Sequence, residues 1–426
     1  MRYFALGGSQ SLLEVDAYLH GLTPLPRADR DMLAHAVNER LDELHGPPKA
    51  PYSRLVPEKP LHGPLRGLVE LLEGTHRAPP ERLPTAVAAA ARALDVRIGV
   101  YLADYEQRLL VPLPPAGSET LDIATTVAGD VFRRVGSAVT RDDGRPVLWT
   151  VLLDGVERLG VLEIEPLDGT DPDDPVLRQQ SHWLATLLGH LVTIVTQYGD
   201  GLDVHRRRRH RASPAELLWQ ALPPLTGATG AVVVGASVQP AYDLCATGFD
   251  YALSEHRAWL ALVDAGPRDA AASLVVVSAL SAYRAARRDG GTLDAQHAAV
   301  CQSLEARPAA AATVAELDLH TGDLHCLTTG TGAPAFIRCG EPDPKRLRPG
   351  DLFALCSRGA LDTANEHGER FGRADIAAAL RRHSGLPAPE IARRIVAALT
   401  DHHGGQLPGD VAVVVTRWTP PELIDG

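Results

Sequence analysis

The sequence predicts an α+β protein of more than one domain, and three observations carry that reading. Segments with apolar residues at helical spacing alternate with short runs rich in Val, Leu, Ile and Thr that suit strands. Asp154-Gly155 lies between two such runs, which is the pattern of a tight hairpin. The chain has 426 residues, more than one hydrophobic core serves, so two or three domains are expected.

Residues 1–78 read as an N-terminal helical segment followed by a linker. Leu12, Leu13, Val15, Tyr18 and Leu19 space as a short helix ending near Gly21. A second helix, from about Arg27 to His45, carries Met32, Leu33, Val37, Leu41 and Leu44 at helical spacing, and Gly46-Pro47-Pro48 stops it. Prolines at 47, 48, 51, 57 and 60 mark a linker over 46–64, and Leu65–Leu72 adds a helical turn or two.

Residues 80–200 form the next unit. A helix at Pro84–Leu94 precedes strands at Arg97–Leu102 and Leu109–Pro112. A helical segment around Thr126–Val135, the paired strands Val147–Leu153 and Leu159–Glu165, and a long helix from Asp174 to about Tyr198 follow. This order is similar to that of a GAF sensor domain, and Gly160-Val-Leu-Glu-Ile164 resembles the strand that closes many GAF sheets; a PAS-type sensor is the competing reading. His205-Arg-Arg-Arg-Arg-His210 reads as a solvated helix face or hinge. The flanking helices, Pro175–Tyr198 and Ala215–Leu222, are expected to stack as a stalk. Leu184, Leu187, Leu188 and Val192 would lie in the seam of a homodimer.

Residues 211–420 make the last unit. Strands are expected at Ala231–Val238, Ala258–Val263, Thr313–Asp318, Asp323–Thr328, Ala335–Ile337, Asp351–Cys356 and Val411–Thr416. Helices fit Ala270–Arg288, Asp294–Leu304, Arg373–His383 and Ala388–His403, the last capped at Gly404. From Ala215 to Trp418 the sequence resembles the PPM family of metal-dependent serine/threonine phosphatases, protein phosphatase type 2C, in its SpoIIE-like branch. The resemblance is carried by Ala215-Glu-Leu-Leu-Trp-Gln-Ala-Leu-Pro-Pro-Leu225, Pro240-Ala-Tyr-Asp243, Phe249-Asp-Tyr-Ala-Leu253, Val263-Asp264, Arg348-Pro-Gly-Asp351, Phe371-Gly372 and Asp410-Val-Ala-Val-Val-Val-Thr-Arg417. It implies an α-β-β-α sandwich, two antiparallel sheets face to face with helices outside.

Active members of that family hold two Mg²⁺ or Mn²⁺ ions, which activate a water against a phosphoserine or phosphothreonine. Hard divalent ions call for carboxylate ligands, supplied from a Gly-Gly-Asp, an Asp-x-x-Gly-His, a Thr-Asp-Gly and a terminal Asp-Asp. Against that pattern Thr247 stands at the first carboxylate, Arg358 at the third and Gly409 at the fourth; only Asp264 is kept. Arg268 replaces the histidine after Asp264, and the later Gly-His reads Gly330-Thr331-Gly332. In an alternative register Asp250 supplies the first carboxylate. Asp250, Arg268 and Asp410 are the further cleft candidates. A buried Arg358 cannot shed its proton, so it must find a carboxylate, Asp264 or Asp410.

The expected function is therefore a catalytically degenerate SpoIIE-like phosphatase, a pseudophosphatase that binds a regulatory protein under control of a GAF domain. The resemblance implies an anti-sigma-factor antagonist or an anti-sigma kinase as partner. No metal cofactor is expected; the alternative is an active serine/threonine phosphatase with an unusual Mn²⁺ or Mg²⁺ site. Arg358 and Arg268 also suit an anionic or phosphorylated ligand. Net charge is −11, which disfavours nucleic acid, and no apolar run approaches the ~20 residues of a membrane span. The five cysteines (245, 301, 326, 339, 356) are scattered and odd in number, and the first residues lack a signal-peptide pattern. A cytoplasmic protein is expected.

Overall fold

The computed structural model describes residues 2–43, 63–114, 119–142, 145–167, 169–269, 271–338 and 346–420; the linker up to residue 62 and Cys339 lie outside them. The chain divides into two compact units, Met1–His62 and Gly63–Gly426. In the first, helices α1 (Arg2–Ala5), α2 (Leu12–Leu19) and α3 (Arg27–Glu43) enclose a small core of Tyr3, Leu25, Leu33 and Ala36. Ser11 and Glu14 cap α2 reciprocally, and the Tyr3 hydroxyl donates to the buried Asp29. Leu12, Leu13 and Leu19 stay exposed, so only Val15 and Tyr18 of the stripe expected on α2 pack inward.

The second unit begins with α4 (Gly63–Thr75), longer than the turn or two expected and part of the same core as the helix and strands that follow. Its Leu71 packs with Leu83, Val87 and Ala90 of α5 (Leu83–Ala93). A six-stranded antiparallel sheet follows: β1 (Val96–Ala103), β2 (Leu109–Pro112), β3 (Leu121–Asp122), β4 (Ser137–Asp142), β5 (Arg145–Asp154) and β6 (Glu157–Pro166), in the order β3-β2-β1-β6-β5-β4. Strand alternation sends Val147, Trp149 and Val151 to one face, against Val131 and Phe132 of α6 (Val127–Arg134). Leu148 and Leu152 point to the other face, against α5 and α7 (Pro175–Thr196). Gly189 lets α7 approach: a Cβ there would lie 1.8 Å from the Leu153 carbonyl oxygen.

That packing corrects the stalk. Leu184 and Val192 are each 2% exposed and Leu188 is 0% exposed, because all three fill the chain's own core. The outer side of α7 carries Val176, Trp183 and Ile194 instead, with Tyr198 just past its end. Helix α8 (Gly201–Arg206) and the basic run intervene before α9 (Ser213–Ala221), which packs on a later helix and does not continue α7.

The basic run is solvated only in part: Arg208, Arg209 and His210 are exposed, while His205, Arg206 and Arg207 are half-buried. Arg206 donates to the Ala103 carbonyl and lies over the Tyr105 ring. Arg207 pairs with Asp203 and Glu216, Arg209 with Asp243 (2.7 Å), and the buried Arg211 with Glu216 (3.2 Å). Arg206 thereby ties to the end of β1, and Arg207 and Arg211 both reach Glu216 of α9.

That domain holds β7 (Thr226–Ala228), β8 (Val232–Gln239), β9 (Thr247–Leu253), β10 (Arg257–Asp264), α10 (Ala272–Arg288), α11 (Leu293–Leu304), β11 (Ala311–Asp318), β12 (Leu324–Thr329) and β13 (Ala335–Arg338). It closes with β14 (Leu352–Cys356), α12 (Arg358–Asp362), α13 (Arg373–Arg382), α14 (Ala388–His403) and β15 (Val411–Trp418). The sheets run β12-β11-β10-β9 and β13-β14-β15-β8-β7. Val234, Ala236, Leu260, Leu262, Val314 and Val414 share one core with Val276 and Leu280 of α10, while Ile391, Ile395 and Leu399 of α14 cover the outside of the second sheet with Val413 and Val415. Helices, sheet, sheet and helices are thus layered as the resemblance implies. Gly404 ends α14 in the left-handed region at φ 84°. Among the described residues no helix is long and apolar enough to cross a membrane.

Candidate functional site

Four distant stretches meet at one end of the paired sheets. Thr247 opens β9 and stands opposite Asp264, the last residue of β10. Arg358 opens α12 after Ser357, whose Oγ accepts from the Ala412 amide and ties this turn to β15. Asp410 lies just before β15; its carbonyl is so close to Gly359 that a Cβ there would lie 2.0 Å away. Gly332, in the loop that replaces the Gly-His, approaches the Arg358 side chain.

The electrostatics pair each carboxylate with a guanidinium. Arg358 Nη2 donates to Asp264 Oδ1 at 3.1 Å, and Asp264 Oδ1 also accepts from the Gly266 amide at 2.8 Å. Arg268 Nε lies 3.2 Å from Asp410 Oδ1. Asp410 Oδ2 accepts from the amides of Cys245 (2.8 Å) and Ala246. Burial pushes the Asp410 carboxyl above its usual range, against the pull of those two amides and Arg268. Burial also raises the Cys245 thiol, and the charge of Asp410 adds to that.

Asp250 does not belong to this cleft. It lies three residues along β9 from Thr247, so alternation turns it to the opposite face of the sheet. There Arg284 (2.9 Å) and Arg287 (3.0 Å) of α10 hold it. The alternative register therefore brings no third carboxylate to Asp264. Arg307 escaped sequence reasoning: it grips Asp269 with both terminal nitrogens and donates to the carbonyls of Ala265 and Pro267, fixing the loop after Asp264. Nothing local to residue 307 signals that contact.

This donor set does not fit a two-metal centre. Thr247 offers a neutral hydroxyl and Gly409 no side chain, while both carboxylates already face arginines. A cation ~4 Å from a guanidinium meets a repulsion of about 1–4 kcal/mol per unit charge in water to half-screened surroundings. Among the described residues no three His, Cys, Asp or Glu side chains converge as metal ligands.

Residues 341–419 match the family model of stage II sporulation protein E, SpoIIE. No curated protein matches the chain. Among solved structures, the chain is similar to the RsbU and RsbW domains of Rv1364c from Mycobacterium tuberculosis, at 19% identity and TM-score 0.38 over 45% of this chain and 61% of that one, less than two thirds of its length. The PP2C phosphatase domain of SpoIIE from Bacillus subtilis, with a fragment of its regulatory domain, is 17% identical at TM-score 0.38, over 44% of this chain and 62% of that one. The SiaA PP2C domain of Pseudomonas aeruginosa is 21% identical at TM-score 0.36, over 43% of this chain and 85% of that one.

Proposed function

We propose that residues 211–420 are a SpoIIE-like phosphatase domain that has lost catalysis and works by binding, in a cytoplasmic regulatory circuit, under a GAF-type domain at 80–200. The observation that carries this reading is the Arg358–Asp264 ion pair: a fixed guanidinium holds the one family ligand that remains. Its partner is a regulatory protein, an anti-sigma-factor antagonist or an anti-sigma kinase, and its cofactor is none. The purified protein should show no Mn²⁺-dependent turnover of p-nitrophenyl phosphate or a phosphoserine peptide. Turnover that requires Mn²⁺ and disappears in Asp264→Ala overturns this and establishes the second reading, an active serine/threonine phosphatase with an unusual metal site.

The dimer proposal moves to the outer side of α7. Val176, Trp183 and Ile194 of α7, with Tyr198 just past its end, are 47–59% exposed, an apolar ridge suited to a second copy. Light scattering at micromolar concentration should give twice 45.5 kDa, and Trp183→Glu with Ile194→Glu should give the single-chain mass. A monomeric parent protein removes the idea.

A further inference from the structure

The β5–β6 hairpin carries a charge from the sensor-like sheet into the last domain. There Nη1 of Arg158 lies 3.6 Å from Oε2 of Glu390, and the two side chains are 1% and 0% exposed. Each partner is also seated on its own side. The Arg158 guanidinium lies over the Phe132 ring of α6, 4.6 Å from its centroid, and gives Nη2 to Gln107 at 3.2 Å. Glu390 is held by Arg393 and Arg394 of its own helix. Parting the two sides would break the Arg158–Glu390 contact and leave these others in place.

The rest of the junction is built to part as well. Among the described residues each buried apolar core belongs to one side or the other, and none draws on both. Polar and ring contacts cross instead: Gln239 reaches the Glu106 carbonyl at 3.4 Å, Arg209 lies 3.5 Å from the Glu106 carboxylate, and Tyr105 packs on Trp219 with centroids 5.7 Å apart. A cleft of about 640 Å³ stays unfilled between them. Polar, incompletely packed interfaces are the ones across which domains move.

A buried ion pair gives such a junction a particular behaviour. Apolar side chains of similar volume would hold the two surfaces as well or better, since they carry no desolvation cost. Charges differ on opening. A half-open junction leaves Arg158 buried without its counter-charge, whereas a fully open one gives it water. Nε of Arg158, buried without a hydrogen-bond partner while docked, is then hydrated too. Intermediate arrangements are penalised and the two end states are kept.

We propose that this junction is a two-state latch, docked or fully open, and that the Arg158–Glu390 pair sets the balance between the states. The docked state is the major one, and hydration of the charges keeps the open state within reach as a minor population. A ligand or partner that shifts Phe132 or Gln107 would move Arg158 and so bias the latch. The latch operates whether or not the last domain is catalytic.

The test is carboxyl labelling of the folded full chain with a carbodiimide and glycine ethyl ester, read by mass spectrometry at Glu390. Asp250 is the control, a buried carboxylate held by two arginines away from the junction. Glu390 is 0% exposed and Asp250 2%, so a rigid molecule would label neither; opening should label Glu390 well before Asp250. Arg158→Glu sets a like charge against Glu390 and should speed its labelling about tenfold or more, with a larger radius of gyration by X-ray scattering. Arg158→Met removes the charge that water favours and should slow labelling of Glu390, with Asp250 unchanged. The latch is overturned if Glu390 is labelled only together with Asp250, or if both variants shift it in the same direction. Should Arg158→Glu fail to fold, Arg158→Met decides, and unchanged or faster labelling of Glu390 overturns the latch.

Discussion

Replacing Glu390 by glutamine should lower the stability of the protein by about 3–5 kcal/mol, the usual cost of removing one partner from a buried ion pair. Glu390 is fully buried in the first turn of α14. It accepts from Arg393 at 2.8 and 2.9 Å and from Arg394 at 3.0 Å, and it lies 3.6 Å from Nη1 of Arg158 on β6. The Arg158 side chain is 1% exposed, so without the carboxylate its charge has no counter-ion on that side and no water. Arg393 and Arg394 reach solvent more easily and tolerate the change better. Arg158→Met should therefore cost less than Glu390→Gln, since Glu390 keeps its other two partners. Burial raises the Glu390 carboxyl, but the bonds and charge of Arg393, then Arg158 and Arg394, outweigh it, and the group ends below its usual range. A depressed carboxyl contributes stability above the unfolded glutamate range and loses it as pH falls through the lower folded value. Urea unfolding should show the gap between parent and Glu390→Gln at pH 7 and a narrowing gap in acid. A loss under ~1 kcal/mol at pH 7 would mean that water enters the junction and screens Arg158.

Much of this architecture was legible because helices and buried strands advertise themselves locally. The hairpin at Asp154-Gly155, the helices α5, α10, α13 and α14, and the strands β8, β10, β11 and β15 follow from apolar spacing and turn residues. Strand β9 was missed: Thr-Gly-Phe-Asp-Tyr-Ala-Leu carries a glycine and an acid, and the acid is tolerated only because Arg284 and Arg287 come to it from α10. The partners of the arginine run were hidden for a similar reason. Asp203 is a local partner, four residues before Arg207, but Asp243 and Glu106 are distant in sequence, and only the fold brings them to Arg209. Leu184, Leu188 and Val192 were correctly apolar, but spacing alone does not say whether a helix faces its own sheet or a second chain. In the cleft, Arg358 against Asp264 was foreseeable from charge; the Arg268–Asp410 pair and the Arg307 clamp depend on loop paths that the sequence does not display.

Replacing three positions together, Thr247→Asp, Arg358→Asp and Gly409→Asp, should give the cleft a Mn²⁺ affinity well above the parent's. The backbone is suited to the change. Thr247 is in register opposite Asp264, and a Cβ at Gly409 meets nothing within 4 Å. Now Asp264 and Asp410 are balanced by Arg358 and Arg268; after replacement five carboxylates would face Arg268 alone, a formal change from 0 to −4. In the absence of metal those carboxylates repel one another, and Thr247 is only 1% exposed, so the variant should be less stable than the parent. Mn²⁺ should reverse that loss, by about 2.7 kcal/mol when its concentration is a hundred times the dissociation constant. Calorimetry should show heat of binding in the variant and none in the parent, and the unfolding temperature of the variant alone should climb with Mn²⁺. Arg358→Asp by itself removes the guanidinium but adds only one ligand, and should bind more weakly than the triple variant. A folded triple variant that takes up no Mn²⁺ by either measure would show that the lost carboxylates are not what separates this cleft from a metal site.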